Sequence, residues 1–100
     1  MRRVLVLAAC AVLCSCQAPP PAVRDDAARG QAAFRGYCAA CHNADSRQRK
    51  VGPGLKGLFH WDSGAKIRAK IEAGGNGMPA FKDMLTGQEK DDLIAWLKTL

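Results

Sequence analysis

The stretch Cys38-Ala39-Ala40-Cys41-His42 decides how the rest of the chain is read. Two thiols three residues apart, with an imidazole immediately after them, form the attachment pattern of haem c. The thiols add to the two vinyl groups of the porphyrin as thioethers that do not dissociate, and the short spacing lets both reach one edge of the ring. His42 is then directed at the iron as the proximal nitrogen ligand. Two other chemistries use similar letters. A thioredoxin-like dithiol needs a strand before the pair and a helix starting at it, whereas here a helical pattern ends there. A zinc site needs four ligands, and beyond Cys38, Cys41 and His42 the chain offers only His60, which forms no ligand pair with a neighbour.

Working back from the motif, Ala27, Gly30, Phe34 and Tyr37 recur at spacings of three and four and predict a helix from residue 25, with one face apolar. Asp25 or Asp26 is expected to cap its start, and Arg29, Gln31 and Arg35 to form its solvated side. Working forward, residues 43–62 have no sustained period and hold Gly52, Pro53, Gly54 and Gly57. A loop this long in a small domain needs a reason. Packing Val51, Leu55, Leu58 and Phe59 against a cofactor supplies one. A second short helix is predicted over residues 63–73, with Ile67 and Ile71 one turn apart and Gly74-Gly75 as the stop. An irregular stretch follows, holding Met78-Pro79. The last helix begins at Thr86, whose spacing to Glu89 is that of a capping box. Its apolar face is Leu93, Trp96, Leu97 and Leu100, with Lys90, Asp91, Asp92 and Lys98 outside it. The fold class is therefore all-α, with three or so short helices and long loops wrapped around one haem.

These landmarks, in this order, resemble a class I cytochrome c: Gly30 with Phe34, residues 38–42, residues 51–57, Met78-Pro79-Ala80-Phe81 and residues 92–98. The resemblance covers residues 25–100. It implies that the first and last helices cross closely, Gly30 and Phe34 lying against Leu93 and Trp96. It implies that the carbonyl of Pro53 accepts a hydrogen bond from the far nitrogen of His42, which fixes the tautomer and strengthens the ligand. It also implies Met78 as the sixth ligand, in a loop like the family's methionine loop. A thioether favours ferrous iron and raises the potential relative to a second histidine. Met84 and His60 are the weaker rivals for that position. Trp61 is left as either a donor to a haem propionate or a packed side chain. The run Arg47, Arg49, Lys50 is either a solvated loop or a docking patch, the latter giving electron-transfer rates that fall with salt.

The implied function is electron transfer by one covalent haem c cycling between Fe(III) and Fe(II), with His/Met ligation, no small-molecule substrate and no catalysis. The partners are redox proteins. The alternative is a haem enzyme or gas sensor in which the sixth ligand is displaceable.

The amino-terminal region reads separately. Met1, Arg2 and Arg3 followed by an apolar run over residues 4–13 form an export signal over residues 1–15, too short to span a bilayer. Leu13-Cys14-Ser15-Cys16 resembles the cleavage box of bacterial lipoproteins, which makes Cys16 the acylated first residue. Residues 16–24, rich in proline, form a semi-rigid spacer before a domain over residues 25–100. Cleavage at Cys10 would leave too short an apolar run. A cut near Ala18, releasing an unanchored protein, is the alternative. The expected location is the periplasmic side of a bacterial membrane, tethered by lipid near membrane-bound partners. Of five cysteines, Cys10 and Cys14 leave with the signal and Cys16 is used by lipid, so only Cys38 and Cys41 remain in the body. The formal charge of +6 falls to +4 without Arg2 and Arg3, too small and scattered for nucleic acid. One hundred residues make one small domain with a thin core, which a covalent cofactor would staple.

Overall fold

The computed structural model describes residues 24–100, so the expected signal, Cys16 and all of the spacer but Arg24 lie outside the described residues. Three α-helices appear: α1 (Arg24–Tyr37), α2 (Gly64–Ala73) and α3 (Gly87–Leu97), with one 3₁₀ turn at Leu58–His60. Among the described residues the only β-type pairing is an isolated bridge between Gly75 and Met78. The architecture is all-α, as the periodicity predicts.

Each helix boundary has a local cause. Ser63 caps α2, its hydroxyl accepting from the Lys66 amide, and Gly74 closes that helix with a φ of 65° that side-chain-bearing residues avoid. Thr86 and Glu89 form the capping box at α3, each side chain accepting from the other's backbone amide. At α1 the expectation is corrected. The helix is already running at Arg24, so Asp25 and Asp26 sit within its first turn instead of capping it from outside. Asp26 there accepts from Arg29, and a carboxylate in a first turn is favoured by the helix dipole.

The principal helix contact is α1 against α3. Gly30 permits it: a Cβ at this position would lie 1.9 Å from the Asp92 carbonyl oxygen and 2.8 Å from the Trp96 Cβ. With the backbones that close, Phe34 stacks tilted on Trp96 at 4.8 Å between ring centroids, and Leu93 is 1% exposed beside them. Burying side chains of this size contributes about 1.5–3 kcal/mol each.

Two charged groups expected in solvent are buried, one of them at this crossing. Asp92 is 3% exposed. Its carboxylate accepts from Arg29 Nε at 3.0 Å and from Gln88 Nε2 at 2.8 Å, so Arg29 is not merely the outer side of α1. The Arg29 hydrogen bond, with a smaller one from Gln88, holds the Asp92 carboxyl below its ordinary value against the opposing effect of burial. Lys90 is likewise buried and donates to the Lys82 carbonyl at 2.9 Å. Its ammonium lies 3.6 Å from Glu72, which also pairs with Arg68, itself bonded to Asp91. Hydrogen bonding to Asp91 raises the Arg68 pKa. These pairs tie α2 to α3.

Phe34, Leu58, Ile67, Ile71, Phe81, Leu85, Leu93 and Leu97 make up the buried core. All but Leu85 also line one cavity of about 790 Å³. The core is thus arranged around a space and not around itself. The loop prediction holds for Val51, Leu55 and Leu58, which line that cavity. Phe59 is the exception: it packs on the core cluster and lies under Lys98, whose ammonium is 5.8 Å from its ring centre.

Candidate haem site

The motif sits where α1 unwinds. Cys38 N–H and Ala39 N–H both donate to the Phe34 carbonyl at 2.8 and 2.9 Å, and His42 N–H donates to the Cys38 carbonyl at 3.0 Å. One further turn is therefore wound beyond the helix. Residues three and four apart on such a turn share a side, and Cys38, Cys41 and His42 all line the large cavity. Both cysteines are free thiols. Burial, with Cys41 beside it, pushes the Cys38 thiol up to about 11.

His42 is fixed from two directions. Its Nδ1 lies 2.7 Å from the Pro53 carbonyl oxygen, an acceptor, so Nδ1 carries the proton and Nε2 keeps its lone pair. Gly52 backs the ring so closely that a Cβ there would be 2.5 Å from Cε1. The Gly52 amide in turn donates to the Cys41 carbonyl at 2.7 Å, which clips the loop onto the motif.

Met78 lines the same cavity, half-buried, with Pro79 and Phe81 beside it. The rivals lie elsewhere. Met84 is 56% exposed and absent from the lining. His60 is exposed and borders a second, more open hollow of about 690 Å³ with Asp45, Ser46, Arg47 and Lys56. Trp61 stands between the two hollows, and the Arg47 guanidinium rides over its ring at 4.2 Å. The basic run is split: Arg47 stacks on Trp61, Arg49 borders the cavity, and Lys50 donates to the Ala39 carbonyl at 3.0 Å.

Three features went unread in the sequence. Tyr37, assigned to the apolar face of α1, is 44% exposed at the cavity's edge and meets Phe81 edge-on at 6.1 Å. The 3₁₀ turn at Leu58–His60 carries no periodic signal in three residues. The turn at residues 75–78 was legible as Asn76-Gly77, the pair that favours a mirror-image hairpin turn, and Asn76 and Gly77 have φ of 54° and 89°.

The residues fit a porphyrin. An apolar cavity that takes in nearly the whole core, two free thiols at its wall and an imidazole with a bonded Nδ1 are the donor set and the space that haem c requires. The class defined by this fold and site is that of the small monohaem c-type cytochromes.

Comparison with known proteins agrees. Residues 25–97 match the family model described as cytochrome c oxidase, cbb3-type, subunit III. Cytochrome c-550 of Bacillus subtilis is 32% identical over 77 residues, a match covering 77% of this chain and 62% of that protein's length. A cytochrome c-553-like protein of Synechocystis is 36% identical over 80 residues, covering 79% and 73%. The crystal structure of cytochrome c6 from the diatom Phaeodactylum tricornutum superposes with a TM-score of 0.60 at 27% identity, covering 74% of this chain and 92% of that one. The chain belongs to this c-type cytochrome family. It has the cytochrome c fold, binds one covalently attached haem c, and is a monohaem electron-transfer domain.

Proposed function

We propose that the chain is a dedicated electron carrier whose iron is held by His42 and Met78, with Cys38 and Cys41 as the thioether residues and Pro53 orienting His42. The observation that carries this reading is the convergence of Cys38, Cys41, His42 and Met78 on one apolar cavity, with Nδ1 of His42 tied to Pro53. When bound, the haem supplies a one-electron couple between Fe(III) and Fe(II). The protein's residues do the rest. Phe34, Leu58, Ile67 and Leu97 exclude water, which sharpens the electrostatics felt at the site. The Pro53 carbonyl keeps the imidazole in one tautomer, and the Met78 thioether favours the reduced form. A haem held by both His42 and Met78 would leave no place for a substrate, and exchange with partners would proceed through small, brief contacts.

In the full chain, removal of residues 1–15 and acylation of Cys16 would tether the domain through residues 16–24 to the periplasmic side of a bacterial membrane. Tethering raises the effective concentration at membrane-bound redox partners. The lipoprotein-like Leu13-Cys14-Ser15-Cys16 and the proline-rich spacer support this. Mass spectrometry of the mature amino terminus checks it, an unmodified terminus beyond Cys16 being the contrary result.

The ligand set is tested by absorption spectroscopy of the matured protein. A low-spin ferric spectrum with the weak far-red methionine-to-iron band is expected, and Met78→Ala should abolish that band. A high-spin spectrum, or ready carbon monoxide binding by the unmodified protein, would identify an open haem and defeat the carrier reading.

A further inference from the structure

We propose that Lys70 and Gly74 are positioning residues for the sixth ligand, acting together as a latch that holds the Met78 loop closed on the end of α2. This rests on the assignment of Met78 as the ligand. The segment carrying Met78 leaves α2 and returns to it. The amide of Gly74 donates to the Lys70 carbonyl at 2.8 Å, and those of Phe81 and Lys82 donate to the carbonyls of Ile71 and Glu72 at 2.9 and 3.3 Å. Helix ends leave such carbonyls without partners, so the loop is anchored at its base by groups that need it.

The tip is closed by a second device. The amide of Gly75 donates to the Met78 carbonyl at 2.9 Å, and that of Met78 donates back to the Gly75 carbonyl at 3.1 Å. That same Gly75 oxygen accepts from Lys70 Nζ at 3.1 Å. Lys70 thus reaches forward five residues and clamps the tip to the helix, through the very carbonyl that fixes the Met78 backbone. Gly74 provides the close seat. Its φ of 65° is left-handed, and a Cβ there would lie 2.5 Å from the Met78 carbonyl oxygen and 2.7 Å from the Pro79 carbonyl carbon. Both neighbours are backbone and cannot swing aside. Any side chain at 74 therefore lifts the Met78 segment off its seat, and loss of the Lys70 ammonium frees its tip.

An external ligand such as imidazole binds the iron only when the methionine has left it. Its apparent affinity therefore rises in proportion to the fraction of open loop. The experiment titrates imidazole into the ferric, fully matured protein while following the far-red band. Lys70→Met should raise the imidazole association constant about threefold, the effect of losing one charge-assisted hydrogen bond at an exposed site. Lys70→Arg, which keeps a donor, should stay within about twofold of the unmodified protein. Gly74→Ala should weaken or remove the far-red band even without imidazole, while far-ultraviolet circular dichroism still reports the helices. Thr86→Ala, which lowers stability at the α3 cap without touching the Lys70 or Gly74 contacts, should leave imidazole binding unchanged.

Lys70→Met binding imidazole as the unmodified protein does would overturn the latch, as would an equal rise in Thr86→Ala, since loosening would then be global. If Met78→Ala loses the band but the Lys70 and Gly74 variants behave as the unmodified protein, the latch alone falls. If Met78→Ala keeps the band, the ligand assignment falls and the latch with it.

Discussion

Gly30→Ala is the smallest change that tests the helix crossing on which the domain is built. The added methyl carbon would stand 1.9 Å from the Asp92 carbonyl oxygen and 2.5 Å from its carbon. Ordinary contact begins near 3.4 Å, so α1 and α3 must part by about 1.5 Å. That separation loosens the Phe34 stack on Trp96 and stretches the Arg29 bond to Asp92 beyond hydrogen-bonding range. Overpacking costs about 1–3 kcal/mol where side chains can adjust, and here the obstacle is backbone, so about 3 kcal/mol is expected. Alanine's better helix propensity returns about 1 kcal/mol, leaving a net loss of about 2 kcal/mol. For a domain of this size that lowers the melting temperature by roughly 8–16 °C. Gly36→Ala is the control, because no atom lies within 4 Å of its would-be Cβ; this exposed helical site should gain about 0.5–1 kcal/mol. Chemical and thermal denaturation of the haem-loaded protein measure both. Gly30→Ala as stable as the unmodified protein would refute the reasoning, because the helices would then not be held at the described distance.

Asp92 gives a pH dependence of known sign. Its carboxyl is held below the ordinary 3.8 by Arg29 and then Gln88, so the folded form binds its proton less tightly than the unfolded chain does. The resulting stabilisation is complete above the unfolded value and is lost as pH falls through the lower folded value. Asp92→Asn should cost about 1 kcal/mol at neutral pH, discounted because Arg29 is partly exposed, and progressively less below about pH 4 in denaturation series. A penalty that stays constant into acid would show that shape and not charge matters there. Thr86→Ala removes half of the capping box at α3 and should cost about 1 kcal/mol by the same assay, with unchanged haem spectra.

The parts legible in the sequence are those whose cause is local. The spacing of Cys38, Cys41 and His42 puts them on one turn facing one cavity, and Ser63, Thr86 and Gly74 mark helix ends because capping involves residues within one turn. The errors arise where two distant segments meet. Lys90 lies three and seven residues before Leu93 and Leu97, so the wheel puts it on the buried face; charge alone argued it outward, and the Lys82 carbonyl that satisfies it is invisible to periodicity. Asp92 was misplaced because Gly30, sixty-two residues earlier, lets the α1 backbone come close enough to cover it. Phe81 and Leu85 are buried from an aperiodic segment, Phe81 held by its amide bond to the Ile71 carbonyl at the end of α2 and Leu85 bonded back to the Phe81 carbonyl. The proximal clamp on His42 was implied by resemblance to a family, and its hydrogen bond spans eleven residues.

The two indole rings have a practical consequence. Trp61 borders the cavity, and Trp96 touches Phe34, which lines it, so both emitters stand within energy-transfer range of a porphyrin seated there. Their fluorescence should therefore be quenched in the haem-loaded protein. Because thioethers keep the pigment on the chain, only distance can relight them, and emission intensity becomes a direct gauge of how far the polypeptide has opened.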